Sequence, residues 1–252
     1  MTVMPGAEAY FHDGGEIGVL VCHGYCGSPQ GVRPWAEYLA AQGYTVSLPR
    51  LPGMGTDWHE LQRTTWQDWY GEVDRAYADL ASRCRTVFAV GLSMGGLLAT
   101  KIALDHPELA GLVVVNPIYK HNNPALPLLP ALRWVLPTLP GIVGDIKKPG
   151  QIELGYDRNP LQAMYSQTQL WKLVRDDLGN LTQPVLLLTS AEDHVVPPVS
   201  WQYLVEHHAS DDFTHQVLAN SYHVATLDND APLIFAESVR FIERLAPNQA
   251  TG

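Results

Sequence analysis

The sequence predicts an α/β chain: a mostly parallel sheet with helices on both faces, interrupted by one inserted segment. Three observations carry this. Short apolar runs alternate with longer stretches of helical spacing, the pattern of βαβ units. The short runs are continuously apolar rather than alternating, as strands covered on both faces are. The rhythm breaks once, from Ile118 to about Asp176, and then resumes. The division expected is a core of residues 1–117 and 177–252, with 118–176 as a cap.

Each element follows from its own residues. "IGVLVCHG" (17–24) is a compact strand ending in a turn. "GVRPWAEYLAAQG" (31–43) spaces Trp35, Leu39 and Ala40 on one helical face and stops at glycine. "YTVSLPRLPG" (44–53) reads as a strand. Residues 64–84 form a long helix with Trp66, Trp69, Val73, Tyr77 and Leu80 on one side. "TVFAVGL" (86–92) is a strand, Met94–His106 a helix closed by Pro107, and "GLVVVNP" (111–117) another buried strand. The segment that follows is rich in Pro and Leu, then more polar and helical through 161–174. At about 60 residues it is too long for a structureless loop, so a small subdomain is expected. Its leucines, with Trp134 and Val135, read either as the lining of an apolar tunnel or as the packed core of that subdomain. "PVLLLTSAEDHVVP" (184–197) is a strand and its loop, 200–208 a helix, 213–221 a strand with one exposed face, and 231–245 the last helix.

Composition narrows the function. A net charge of −10 argues against a nucleic-acid partner, which needs a basic surface. Three cysteines fit a reducing compartment better than a disulfide framework, and Cys22 and Cys26 lack the second pair a zinc site needs. They read as small buried residues. The N-terminus lacks the basic and apolar regions of a signal peptide, and no apolar run reaches about 18 residues. The expected setting is cytoplasmic, with peripheral membrane contact left open.

"GLSMGG" (91–96) matches G-x-S-x-G between a strand and a helix. That turn forces Ser93 into a strained backbone, and the flanking glycines remove Cβ atoms that would clash. The hydroxyl is then presented at a helix N-terminus, where negative charge is favoured. A serine needs a base. Of the 10 histidines, His223 alone lies in a loop after the last strand, in the order Ser…Asp…His. His106 reads as a helix cap, His207 and His208 sit at a helix end, and His215 lies in a strand. The acid belongs in "AEDHVVPP", which offers Glu192, Asp193 and His194. Asp193 is the choice, accepting from the imidazole N–H and fixing its tautomer. The oxyanion needs two donors: the N–H of Met94, and the N–H of Tyr25 in "HGYCGSP". The Tyr25 ring is expected to flank the acyl pocket.

With "LPRLPGMGT", "RTTWQDW" and "SYHVATLD", these stretches resemble the α/β-hydrolase superfamily along nearly the whole chain. Within it, the chain is similar to bacterial monoacylglycerol lipases and small carboxylesterases. The resemblance implies a Ser93–His223–Asp193 triad, no cofactor or metal, and a mobile lid built from the insertion. It implies monoacylglycerol hydrolysis, with a general carboxylesterase, a thioesterase or an acyltransferase as alternatives on the same fold. A non-catalytic binding module is disfavoured because all three triad residues are present. The lid is also where transient membrane or micelle contact would occur. Glu153 matches a glutamate that contacts glycerol hydroxyls; an exposed helix-start carboxylate is the plain alternative. The sequence departs from the pattern at Met54, where histidine is common in a turn expected near the mouth of the site, and at Tyr25, where phenylalanine is more usual. Oligomeric state is not legible.

Overall fold

The computed structural model describes residues 2–246. Seven strands form the main sheet in the order β1-β3-β2-β4-β5-β8-β9: β1 (Tyr10–His12), β2 (Ile17–Cys22), β3 (Thr45–Leu48), β4 (Thr86–Leu92), β5 (Gly111–Val115), β8 (Val185–Ser190) and β9 (Phe213–Leu218). The strands pair in parallel except β1, which runs antiparallel to β3 with Tyr10 opposite Leu48. A separate two-stranded ribbon joins β6 (Thr138–Pro140) to β7 (Arg158–Pro160). The helices are α1 (Arg33–Ala41), α2 (Trp58–Leu61), α3 (Trp66–Arg83), α4 (Met94–Asp105), α5 (Leu129–Leu132), α6 (Leu161–Asp177), α7 (Val199–His207) and α8 (Ala231–Leu245).

The continuous apolar strands have a direct cause: successive residues feed two different cores. In β4, Val87 and Ala89 face one core while Phe88, Val90 and Leu92 face the other. In β5, Leu112 and Val114 part from Val113 and Val115 in the same way, and so do alternate residues of β8. Helices α3, α4, α6 and α7 cover the first face; α1 and α8 cover the second. Edge strand β9 has a buried side only in part, as its alternation predicts. This two-faced burial is the sheet's main source of stability, since apolar area removed from water dominates folding.

The segment between β5 and β8 is only partly a surface structure. Helix α6 buries Leu161, Ala163, Leu170, Trp171 and Val174 in the same core as α3 and α4. Tyr119 is wholly buried, its hydroxyl 2.7 Å from the Thr100 hydroxyl. Residues 134–152, by contrast, expose Trp134, Val135, Ile142 and Ile152. Among the described residues no helix is long and apolar enough to cross a membrane.

Candidate active site

Strands β2 and β4 are neighbours, but the chain leaves them in opposite directions, β2 toward β3 and β4 toward β5. In open α/β sheets ligands bind at the strands' C-terminal ends where the order reverses. The expected site residues sit there: Tyr25 after β2, Ser93 after β4, Asp193 after β8 and His223 after β9.

Ser93 has φ +57° and ψ −120°, a conformation that costs a non-glycine residue of order 1–3 kcal/mol and is kept only by its surroundings. Those surroundings are visible. The Ser93 N–H donates to the Val115 carbonyl at 2.9 Å. A Cβ on Gly91 would lie 2.3 Å from the Gly95 carbonyl oxygen. One on Gly95 would lie 2.0 Å from the Cys22 carbonyl oxygen. The turn therefore closes only with glycine at both places, as its sequence pattern predicts.

His223 Nδ1 donates to Asp193 Oδ2 at 2.8 Å, and both side chains are nearly buried. A carboxylate can only accept, so this bond leaves Nε2 as the ring's free base. Asp193 is held by its own loop: Oδ1 accepts the N–H groups of Val195 and Val196, each at 2.8 Å. Burial pushes the Asp193 carboxyl up, but His223 and those two N–H groups outweigh it and hold it below the ordinary carboxylate range. For His223, burial lowers the imidazole, but the charges of Asp193, Glu153 and Asp145 and the bond to Asp193 outweigh it and raise it above its ordinary value.

Ser93 and His223 line one cavity of about 300 Å³, together with Gly24, Tyr25, Glu153 and Trp171. Among the described residues, the N–H groups of Tyr25 and Met94 enter no internal hydrogen bond. The Tyr25 loop is fixed from below by buried His23, whose Nδ1 donates to Gly24 O at 3.0 Å while Nε2 accepts from the Leu51 N–H at 3.1 Å. Burial holds that imidazole down at about 4, so it stays neutral. The Tyr25 ring packs 5.8 Å from Trp69, and its hydroxyl donates to the Pro160 carbonyl. That hydroxyl is committed to the scaffold. Glu153 Oε2 accepts from the Gly144 N–H at 2.8 Å, and its Oε1 would lie 3.2 Å from a Cβ on Gly27. Its carboxyl is raised by burial. It is a cavity-lining group, not an exposed helix-start carboxylate.

Two expectations need correction. Trp134 and Val135 are 72% and 78% exposed, and neither they nor the leucines of residues 118–176 line the cavity; its apolar wall from that segment is Ile118, Pro140, Ile142, Val143, Met164 and Trp171. The Pro-rich stretch that holds Trp134 turns outward, whereas α6 packs inward. Met54 does not stand at the mouth either. It is wholly buried in the core between Gly53 and Gly55, which both have positive φ. Three of the helix and strand histidines set aside as bases have other partners. His106 bridges to Asp74, His215 lies against the Thr189 hydroxyl, and His207 donates to the Tyr203 carbonyl. Cys22 and Cys26 are buried free thiols.

Some residues around His223 were not assigned from the sequence. Asn116, at φ +45°, donates to the His223 carbonyl at 2.8 Å and to Ser190 Oγ at 2.9 Å. Asp145 accepts the His223 N–H at 3.0 Å. Asp228 accepts four backbone N–H groups, from Lys147, Lys148, Tyr222 and Asn229. Only the "NP" after β5 could have flagged Asn116; the aspartates sit in loops with no periodicity to read.

A strained serine after the central strand, over a buried imidazole–carboxylate pair in a parallel sheet, defines a serine hydrolase of the α/β-hydrolase fold. The chain belongs to the family described as serine aminopeptidase, S33, whose model matches residues 17–230. It is 39% identical over 245 residues to the thermostable monoacylglycerol lipase of Bacillus sp. (strain H-257), covering 97% of each chain. It is 26% identical over 237 residues to a carboxylesterase of Bacillus subtilis (strain 168), covering 92% of this chain and 94% of that one. A solved structure described under LipS and LipT, two metagenome-derived lipolytic enzymes, superposes with a TM-score of 0.93 at 40% identity, covering 96% of this chain and all of that one. The monoacylglycerol lipase of Paleococcus ferrophilus superposes at 0.79 with 20% identity over 95% of this chain, a likeness of fold.

Proposed function

We propose that this serine hydrolase cleaves carboxylic esters, with monoacylglycerols as its substrates, through Ser93, His223 and Asp193. The observation that carries the mechanism is the 2.8 Å bond between His223 Nδ1 and Asp193, which leaves Nε2 free in the cavity Ser93 also lines. The 39% identical monoacylglycerol lipase, aligned over nearly the whole chain, supports the substrate class.

Ser93 Oγ attacks the ester carbonyl carbon as His223 Nε2 takes its proton. The carbonyl oxygen gains the negative charge and receives the N–H groups of Tyr25 and Met94. Asp193 stabilises the imidazolium and is not itself protonated. The C–O bond to the alcohol breaks, and His223 returns the proton to the departing oxygen. Water then attacks the acyl-enzyme, giving its proton to His223, and the fatty acid leaves as Ser93 regains its hydrogen. Glu153, beside the Tyr25 loop, accepts hydrogen bonds from glycerol hydroxyls and so favours a glyceride over a plain alkyl ester. The exposed apolar side chains at the cavity rim meet the lipid phase from which such substrates come. Within residues 118–176, the outer part at 134–152 acts as the lid over the site, while α6 belongs to the core.

The test is a panel of monoacylglycerols, diacylglycerols, p-nitrophenyl esters, aminoacyl amides and acyl-CoAs, with Ser93→Ala as control. Monoacylglycerols should give the highest kcat/KM, and Ser93→Ala should lose at least about 10³-fold. Preference for acyl-CoA or for aminoacyl amides would overturn the substrate class. Full activity of Ser93→Ala would overturn the mechanism.

A further inference from the structure

Residues 144–148 of the inserted segment run beside the His223 loop as well as bordering the cavity, and Asp145 is the centre of the contact. Its Oδ2 accepts the His223 N–H at 3.0 Å, and its main-chain carbonyl accepts the Val224 N–H at 3.1 Å. Its Oδ1 lies 2.8 Å from His194 Nδ1, and its Oδ2 is 3.3 Å from the His194 N–H. One carboxylate therefore joins the residue that follows Asp193 to His223 itself. Asp145 is 11% exposed and lines the same cavity as Ser93. Hydrogen bonds from backbone N–H groups to a carboxylate are about twice as strong as neutral ones.

Among the described residues no other carboxylate does this. Asp193 fixes the Nδ1 end of the ring, and its second oxygen is used by its own loop. Glu153 faces His223 but spends its bond on Gly144. Asn116 holds the carbonyl of His223 and leaves the N–H to Asp145. The main chain of His223 is thus gripped at one end by the sheet and at the other by the inserted segment. The charged groups facing His223 are Asp193 from the β8 loop and Glu153 and Asp145 from the insertion, with His194 on the far side of Asp145 and His121 near Asp193.

We propose that Asp145 is a positioning residue for the His223 base, supplied by the inserted segment, so that displacing that segment loosens the base as well as uncovering the cavity. This rests on His223 being the base for Ser93.

The experiment uses the full chain with Asp145→Asn, Asp145→Ala and a Ser93→Ala control, hydrolysing p-nitrophenyl butyrate from pH 5 to 9. Asparagine keeps an acceptor for the His223 N–H and loses the charge; alanine loses both. The base must be neutral to act, and nearby negative charge favours its protonated form. Removing that charge should move the acidic limb of kcat/KM to lower pH, by roughly half a unit, in both variants. We expect kcat to fall about tenfold in Asp145→Ala and by less in Asp145→Asn, with KM moving less than about threefold. A merely structural loss lowers activity alike at every pH. An acidic limb unmoved overturns the proposal, whatever happens to kcat. If the alanine variant does not fold, the asparagine variant decides. Activity surviving in Ser93→Ala would instead defeat the reading beneath it, so the two failures are distinguishable.

Discussion

Gly95 positions Ser93 by what it lacks. With its Cα packed on the Cys22 carbonyl, any side chain would push the start of α4 away from β2, and with it the N–H of Met94. The Tyr25 loop shows the same logic at Gly27, where the missing Cβ leaves room for the Glu153 carboxylate. Glu153 is thus built into the pocket wall, held by one bond to Gly144 with its other oxygen turned toward the Tyr25 loop. Burial raises its carboxyl, so a partner rich in hydroxyls suits it better than bulk water reaches it. On the proposed glycerol-binding role, replacing it by alanine removes interactions that only a polyol leaving group can make. Glu153→Ala should lower kcat/KM for a monoacylglycerol about 10–30-fold, against less than about threefold for p-nitrophenyl butyrate, as one to two hydrogen bonds to a charged group would. Equal losses on the two substrates would remove the glycerol-binding role. At this scale the sequence was readable where backbone strain dictates residue type, at Ser93 and its flanking glycines; the chain order of Asp193 and His223 pointed to the pair that the structure joins by a hydrogen bond. It was not readable where a side chain serves a distant backbone. Asp145 and Asp228 act across 78 and 80 residues, and no spacing rule connects such positions.

At the scale of elements, long periodic helices and two-faced strands were predicted close to their observed ends. Helix α8 spans the predicted 231–245, and β4 the predicted 86–92. Their patterns repeat over several turns or feed two cores at once, so little else satisfies them. Strand β1 escaped because three residues of half-buried YFH carry no period, and the β6–β7 ribbon escaped because its prolines argue against strands. The insertion, read as a Pro- and Leu-rich stretch followed by a helix, divides physically along the same line: α6 joins the core, and 134–152 lies outside it. What holds the outer part down is Asp228, a carboxylate 1% exposed that accepts the N–H groups of Lys147 and Lys148 on one side and of Tyr222 and Asn229 on the other. Alanine there would leave four donors without their acceptor, at about 1–3 kcal/mol for each one that water cannot reach. Asp228→Ala should lower Tm by roughly 6–12 °C, taking about 3 kcal/mol and a slope of about 2–4 °C per kcal/mol for a chain of this length. Cleavage by a dilute protease within 141–152 should appear before global unfolding. A Tm unchanged within error, with no new cleavage, would mean that the clamp contributes nothing.

At the scale of the whole molecule, an acidic chain exposes a run of apolar side chains. The chain carries a net charge of −10, while Leu128, Trp134, Val135, Ile142 and Ile152 are each exposed along the inserted segment. Pro140, Ile142 and Val143 continue this surface into the cavity wall, so the route from outside to Ser93 is apolar along one side. An acidic protein gains nothing electrostatically from an anionic membrane, whose surface potential repels it. Contact with a bilayer through this patch must therefore come from apolar burial, worth about 25 cal/mol per Å². Two consequences separate this from charge-driven binding. Association with zwitterionic phosphatidylcholine vesicles should persist when salt is raised from about 0.05 to 0.5 M, because screening has no attraction to remove. Adding anionic lipid should weaken it. Val135→Glu and Trp134→Glu, both far from Ser93 in exposure and in role, should reduce co-flotation with vesicles at least about fivefold and lower turnover of vesicle-borne monoacylglycerol, with p-nitrophenyl butyrate hydrolysis retained. Vesicle binding that both variants keep, or that disappears in salt, would place the lipid contact elsewhere and leave the patch without that role.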